Sequence, residues 1–178
     1  MQLEYVNRET YRNKTSTDFI NTLHQRYGDF YLLPQGGSNQ LALKGCAEIV
    51  TDIDIPFDTI TVACGTGATL AGITTALNTD QHAMGFAVLK GADFLNSDVT
   101  KMLNVYGHPS LDNWHIENAY HFVGYARTSA KLFAFIKKFK SDFGIELDAV
   151  YTGKMFFGLF DLVSKGAFET GTRIVAVH

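Results

Sequence analysis

Between Ile60 and Gly72 the chain reads Ile-Thr-Val-Ala-Cys-Gly-Thr-Gly-Ala-Thr-Leu-Ala-Gly, a β-branched run that stops at alternating glycines and opens into small residues. Such a run predicts a buried strand, and the small residues after the turn predict a helix, so the segment is a strand–turn–helix unit of an α/β sheet. The turn has a chemical consequence. Main-chain N–H groups of a glycine-rich turn point inward, and the first free N–H groups of the following helix join them. Together they offer a pocket for an anion such as phosphate, with no lysine required.

Two familiar nucleotide motifs do not fit this spacing. A dinucleotide fingerprint needs G-x-G-x-x-G, and Leu70 stands where the third glycine belongs. A P-loop needs Lys and then Ser or Thr after its last glycine, whereas Gly72 is followed by Ile73. On spacing alone, a glycine turn that joins strand to helix and binds nothing stays open.

Composition narrows the classes. The 178 residues can bury one sizeable core, and a content of 46% apolar and 19% charged residues is that of an ordinary folded domain. A formal charge of −3 gives no general attraction to nucleic acid or to an anionic membrane surface. The basic cluster Lys137-Lys138-Phe139-Lys140 lies on an amphipathic helical pattern and reads as a solvated face. No apolar run is long enough to cross a bilayer and the first residues lack a signal-peptide pattern, so a cytoplasmic protein is expected. Cys46 and Cys64 form no C-x-x-C pair and read as small core residues. His115 and His121 flank Glu117 without ligand spacing, and neither H-E-x-x-H nor G-x-S-x-G occurs.

Along the chain, alternation predicts short strands over 3–6 and 30–33, with a helix over 16–27 between them that Gly28 stops. Residues 34–39 read as a turn, followed by a helix over 41–50 and a loop over 52–58. Strand 59–63, helix 69–77 and strand 84–89 come next, then a helix from Phe94 to Leu103, a break at Tyr106-Gly107-His108-Pro109, and a strand over 114–116. Helices over 128–143 and 154–164 and a strand over 173–177 complete the pattern. Strands alternating with helices of this length imply a mostly parallel sheet with helices on both faces, formed as a single α/β region over 1–178. Ligands of such sheets bind at the carboxyl ends of the strands, where residues 36–39, the turn after Ala63 and Tyr151-Thr152-Gly153 are placed to share one cleft.

Three ordered segments carry a family resemblance. They are Tyr31-Leu32-Leu33-Pro34-Gln35-Gly36-Gly37-Ser38-Asn39, Cys64-Gly65-Thr66-Gly67-Ala68-Thr69-Leu70-Ala71-Gly72, and Val150-Tyr151-Thr152-Gly153-Lys154 followed by Gly158-Leu159. In these the chain resembles the C-terminal part of the 1-aminocyclopropane-1-carboxylate deaminase and D-cysteine desulfhydrase family. These are pyridoxal-phosphate enzymes, and the resemblance implies the larger domain of the tryptophan synthase β-like fold. It also implies that Cys64, Gly65, Thr66, Gly67, Ala68 and Thr69 hold the cofactor phosphate, mostly through main-chain N–H groups. Tyr151 is then an active-site tyrosine, Tyr125 its counterpart from another loop, and Thr152 the contact to the pyridine nitrogen. A small amino-acid substrate and a homodimer are further implications.

The departures from the family shape the expected activity. The family's Schiff-base lysine, and the serine and asparagine of its substrate loop, belong to an N-terminal region expected to lie outside this chain, which reads as a fragment. Lys154 sits in the first turn of a helix, away from the family's lysine, and reads as structural or as a solvated charge. Family members that open a cyclopropane ring carry a glutamate after the corresponding tyrosine, where Thr152 stands here. A neutral hydroxyl supports a protonated ring nitrogen less than a carboxylate does. The expectation is therefore a deaminase or lyase leaning toward D-cysteine desulfhydrase-like α,β-elimination. The alternative is a catalytically inert, truncated or degenerate phosphate-binding paralogue.

Overall fold

The computed structural model describes residues 3–108 and 111–178, so the readings placed on Met1 and Pro109 lie outside the described residues. Two compact units are present, Met1–Leu33 and Pro34–His178. The first holds α1 (Arg8–Arg12) and α2 (Thr17–Tyr27). Ser16 caps α2 by accepting the Phe19 N–H at 3.3 Å, and Gly28, at φ 73°, ends it as the sequence predicts. The strands expected over 3–6 and 30–33 do not form. Alternation makes a segment extended, but a strand needs a ladder partner, and among the described residues this unit contains only helices and irregular segments.

The second unit runs α3 (Gln40–Thr51), β1 (Thr59–Cys64), α4 (Ala68–Thr74), β2 (His82–Ala87), α5 (Phe94–Val105), β3 (Trp114–Glu117), α6 (Ala130–Phe143), α7 (Thr152–Ser164) and β4 (Ile174–Ala176). Its strands form one sheet in the order β3-β2-β1-β4, and every pairing is parallel. The expected α/β class with a parallel sheet is what the chain adopts.

Strand β1 lies at the centre because its side chains serve two cores with a period of two. Ile60, Val62 and Cys64 join a cluster with Leu43 of α3, Leu70 and Ile73 of α4, and Leu95 and Val99 of α5. Ala63 lies against the opposite cluster, in which Met84 and Phe86 of β2 meet Met155 and Leu159 of α7. Helices thus cover both faces. Each fully buried Leu or Ile contributes about 1.5–3 kcal/mol, so Ile60 of β1, Leu70 and Ile73 of α4 and Leu95 of α5 anchor the first of these cores.

Gly72 explains how closely α4 approaches α3. A Cβ there would lie 2.5 Å from Cys46 Cβ and 2.6 Å from the Leu43 carbonyl oxygen, neither of which can move without shifting a helix. On the other face α6 packs on α7 through rings, with Phe139 and Phe156 centroids 4.9 Å apart. Ser129 caps α6 and Gly144 ends it at φ 71°. The Lys137–Lys140 cluster lies on this helix with Phe139 buried while Lys138 and Lys140 stay in solvent, as the pattern predicts.

Candidate functional site

The turn after β1 is built by a conformational requirement. Gly67 precedes α4 at φ 80°, a left-handed value that favours glycine, and a Cβ there would come 2.5 Å from Val99 Cγ2. That geometry leaves the N–H groups of Gly65, Thr66, Gly67, Ala68, Thr69 and Leu70 with no acceptor among the described residues. The first main-chain bond donated after the turn is Ala71 N–H to the Gly67 carbonyl, at 2.9 Å. Unpaired donors of this kind are tolerated where water or a ligand reaches them.

All of these residues but Ala68 border a cleft of about 350 Å³ at the carboxyl ends of β1 and β4. Gly36, Cys64, Gly65, Thr66, Gly67, Thr69, Tyr151, Thr152 and His178 line it, so the three segments quoted from the sequence do meet. Ser38 Oγ donates to Thr66 Oγ1 at 2.9 Å and ties the 35–39 turn to the loop. The main chain at Gly65 is open toward Tyr151: a Cβ there would sit 3.4 Å from Tyr151 Cε1. Among the described residues no lysine lines the cleft.

The sequence-predicted residues divide by what they present. Cys64 is 1% exposed, and burial pushes its thiol up to about 12, so its side chain is a core group and only its main chain reaches the turn. Ala68 is likewise buried. Tyr151 and Tyr125 come together at the rim, with the Tyr151 hydroxyl donating to that of Tyr125 at 3.2 Å and the rings edge-on at 5.9 Å. That hydrogen bond, followed by partial burial and the nearby Asp148 carboxylate, raises the Tyr151 phenol to about 12. Tyr151 is therefore a protonated donor at neutral pH.

Thr152 opens α7, and its hydroxyl donates to Asp148 Oδ2 at 2.6 Å. Asp148 went unnoticed in the sequence, yet it organises this corner. Its carboxylate accepts the N–H groups of Val150 and Tyr151 at 2.6 Å each and of Thr152 at 2.8 Å. Burial acts to raise the Asp148 pKa, but the Thr152 hydroxyl and these three N–H groups outweigh it and hold the carboxylate below its ordinary range. An aspartate four residues before a helix start was the available signal, and it is common enough in loops to pass unremarked.

Lys154, read as structural or solvated, is not solvated. It is 1% exposed, with its ammonium donating to main-chain carbonyls.

Comparison with known proteins agrees with this geometry. Residues 4–178 match the family described as "Pyridoxal-phosphate dependent enzyme". A relative from Arabidopsis thaliana, named bifunctional D-cysteine desulfhydrase/1-aminocyclopropane-1-carboxylate deaminase, mitochondrial, is 33% identical over 97% of this chain and 48% of its own. A protein of Klebsiella pneumoniae named D-cysteine desulfhydrase is 28% identical over 83% of this chain and 49% of its own. A crystal structure of an ACC deaminase homologue superimposes with a TM-score of 0.79 at 27% identity, covering 99% of this chain and 57% of that one. The chain thus spans about half the length of the curated relatives it matches. Glycine turn, parallel sheet and matched family point the same way: the chain belongs to the pyridoxal-phosphate-dependent enzyme family.

Proposed function

We propose that the loop Cys64 to Thr69 holds the phosphate of pyridoxal phosphate through its main-chain N–H groups, with the Leu70 N–H next to them also open. The whole protein is then a lyase or deaminase acting on a small amino acid. The observation that carries the reading is the row of six consecutive main-chain donors without an acceptor, five of them on residues that line the cleft. A phosphate dianion fits that donor set because it offers several acceptor oxygens and gains from each N–H it meets. When bound, pyridoxal phosphate supplies an electron sink for the Cα bond of an amino acid.

This chain's residues contribute binding and orientation. The loop fixes the phosphate end, and Gly65 lies beside the Tyr151 ring. Tyr151 and Tyr125 stand at the mouth, where their hydroxyls can orient a substrate or hold a proton at the phenol oxygen. Thr152 gives its own proton to Asp148 and accepts the Asp148 N–H at 3.1 Å, so one lone pair of its oxygen remains to accept from a ring nitrogen that carries a proton. A neutral acceptor supports that proton less than a carboxylate would. The reading therefore favours loss of a good leaving group from the β-carbon, as in D-cysteine desulfhydration, over cyclopropane ring opening.

The test is product analysis on the whole protein. Sulfide, pyruvate and ammonia from D-cysteine are expected, with little 2-oxobutyrate from 1-aminocyclopropane-1-carboxylate, and efficient ring opening would overturn the preference. A second reading, an inert phosphate-binding paralogue, is favoured by the lack of a lysine lining the cleft among the described residues. Borohydride treatment of the cofactor-loaded whole protein separates the two: a lysine fixed to the cofactor supports the enzyme, and reversible binding with no fixed lysine supports the paralogue. A cytoplasmic homodimer belongs to the same proposal, and sedimentation velocity checks its size.

A further inference from the structure

Lys154 is the most deeply buried cation among the described residues, and no carboxylate pairs with it. Its Nζ donates to the carbonyl oxygens of Gly124 at 2.8 Å, His121 at 3.0 Å and Val88 at 3.4 Å. An ammonium has three donors, and each finds one acceptor. Two of those acceptors belong to a segment that does not hold its shape cheaply. Phe122, Val123 and Ala126 adopt left-handed φ values of 50°, 64° and 53°, each costing about 1–3 kcal/mol for a residue with a Cβ. Val123 is β-branched and mostly exposed, so side-chain packing does little to offset its strain. Loop-internal bonds from Gly124 N–H to the His121 carbonyl and from Arg127 N–H to the Gly124 carbonyl, at 3.0 and 3.1 Å, use the same two oxygens that Lys154 takes.

We propose that Lys154 is a positioning residue: its ammonium clamps the 121–126 loop through the His121 and Gly124 carbonyls and so sets the Tyr125 hydroxyl against that of Tyr151. The covalent arrangement makes the clamp direct. Gly124 immediately precedes Tyr125, and Tyr151 lies three residues before Lys154 at the start of α7, so one helical turn fixes both members of the tyrosine pair. Burial pushes the amine's pKa below its ordinary value, with the Asp148 carboxylate acting the other way. The functional meaning of the clamp rests on the reading of the cleft given above. The clamp itself does not, because it is formed entirely by this chain without a ligand.

The experiment uses the whole protein without cofactor. With 15N-labelled lysine, Lys154 is expected to give a slowly exchanging ammonium resonance at neutral pH; a fast-exchanging or absent one would overturn the proposal even if no variant folds. Lys154→Met keeps the aliphatic stem and removes the donors. It is expected to leave amide exchange in β1 and β2 unchanged and to speed exchange over 121–127 by about tenfold or more. At neutral pH the 13Cζ signal of Tyr151 should shift between the parent and Lys154→Met as its hydroxyl contact with Tyr125 loosens. Adding Val123→Gly, which relieves left-handed strain, should restore part of the loop's protection. Unchanged loop exchange would overturn the clamp, as would uniform acceleration across the sheet with the Tyr151 signal unmoved, the behaviour of a lysine that merely packs. None of these readouts involves pyridoxal phosphate, so a failed phosphate site and a failed clamp are told apart.

Discussion

The two ends of the parallel sheet are finished in opposite ways. At the amino ends of the strands the polar groups are paired with one another, the buried Asn113 Oδ1 excepted. Asp58 accepts the main-chain N–H of Arg173 at 2.7 Å and two of its guanidinium N–H groups at 3.1 and 2.6 Å, clasping β1 to β4. Asn113 donates to the Gln81 carbonyl at 3.0 Å, and the rings of His82 and His115 share a hydrogen bond of 2.6 Å. At the carboxyl ends, six successive N–H groups have no partner among the described residues. The difference teaches where the fold can take a ligand. Closed pairs hold strands in register, and open donors beside a cleft are free to meet an anion.

The strongest attempt to break this comparison is Gly67→Ala, which forces a side chain into a left-handed position against Val99. Pyridoxal phosphate affinity should fall by about 10–100-fold, the equivalent of one lost charge-assisted hydrogen bond or more, while pyridoxal without its phosphate binds as before. Equal losses for both ligands, measured by fluorescence titration, would remove the phosphate from the open end. Tyr125→Phe sharpens the same end: without its hydroxyl acceptor, the Tyr151 phenol should fall from about 12 part of the way toward its ordinary value near 10, read by tyrosine 13Cζ NMR. An unmoved phenol would mean that burial rather than the pair sets it.

Asp148→Ala removes the acceptor of three N–H groups and a hydroxyl at the start of α7 and should cost about 1 kcal/mol in urea unfolding, as the loss of a helix cap does. The closed end gives the smallest and most pH-specific effect. Arg173 holds the Asp58 carboxyl at about 2, below its unfolded value. A depressed carboxylate contributes stability above its unfolded pKa, near 4, and loses it as the pH falls through the folded value. Asp58→Asn should therefore flatten the decline in melting temperature between about pH 4 and pH 2 while leaving pyridoxal phosphate binding at neutral pH intact.

Much of this was legible in the residues. The β-branched run at Ile60 and the glycines after Cys64 located the central strand and the open loop, because burial and left-handed turns leave a local imprint. Tyr151 and Thr152 were placed in the turn before a helix over 154–164, which in fact begins at Thr152, and the pairing of Tyr151 with Tyr125 followed from family likeness rather than from spacing. Asp148 was missed because its partners are its own neighbours, and nothing in an aspartate marks it as an acceptor of four bonds.

By itself the sequence determined the order of elements from Gln40 to the last strand, the parallel class and the glycine turn, since hydrophobic period and backbone freedom are written residue by residue. Tertiary structure alone decided that 3–6 and 30–33 form no strand and that Lys154 is buried. A strand exists only with a ladder partner, and an ammonium can leave water only where carbonyls from distant segments converge on it, here those of Val88, His121 and Gly124.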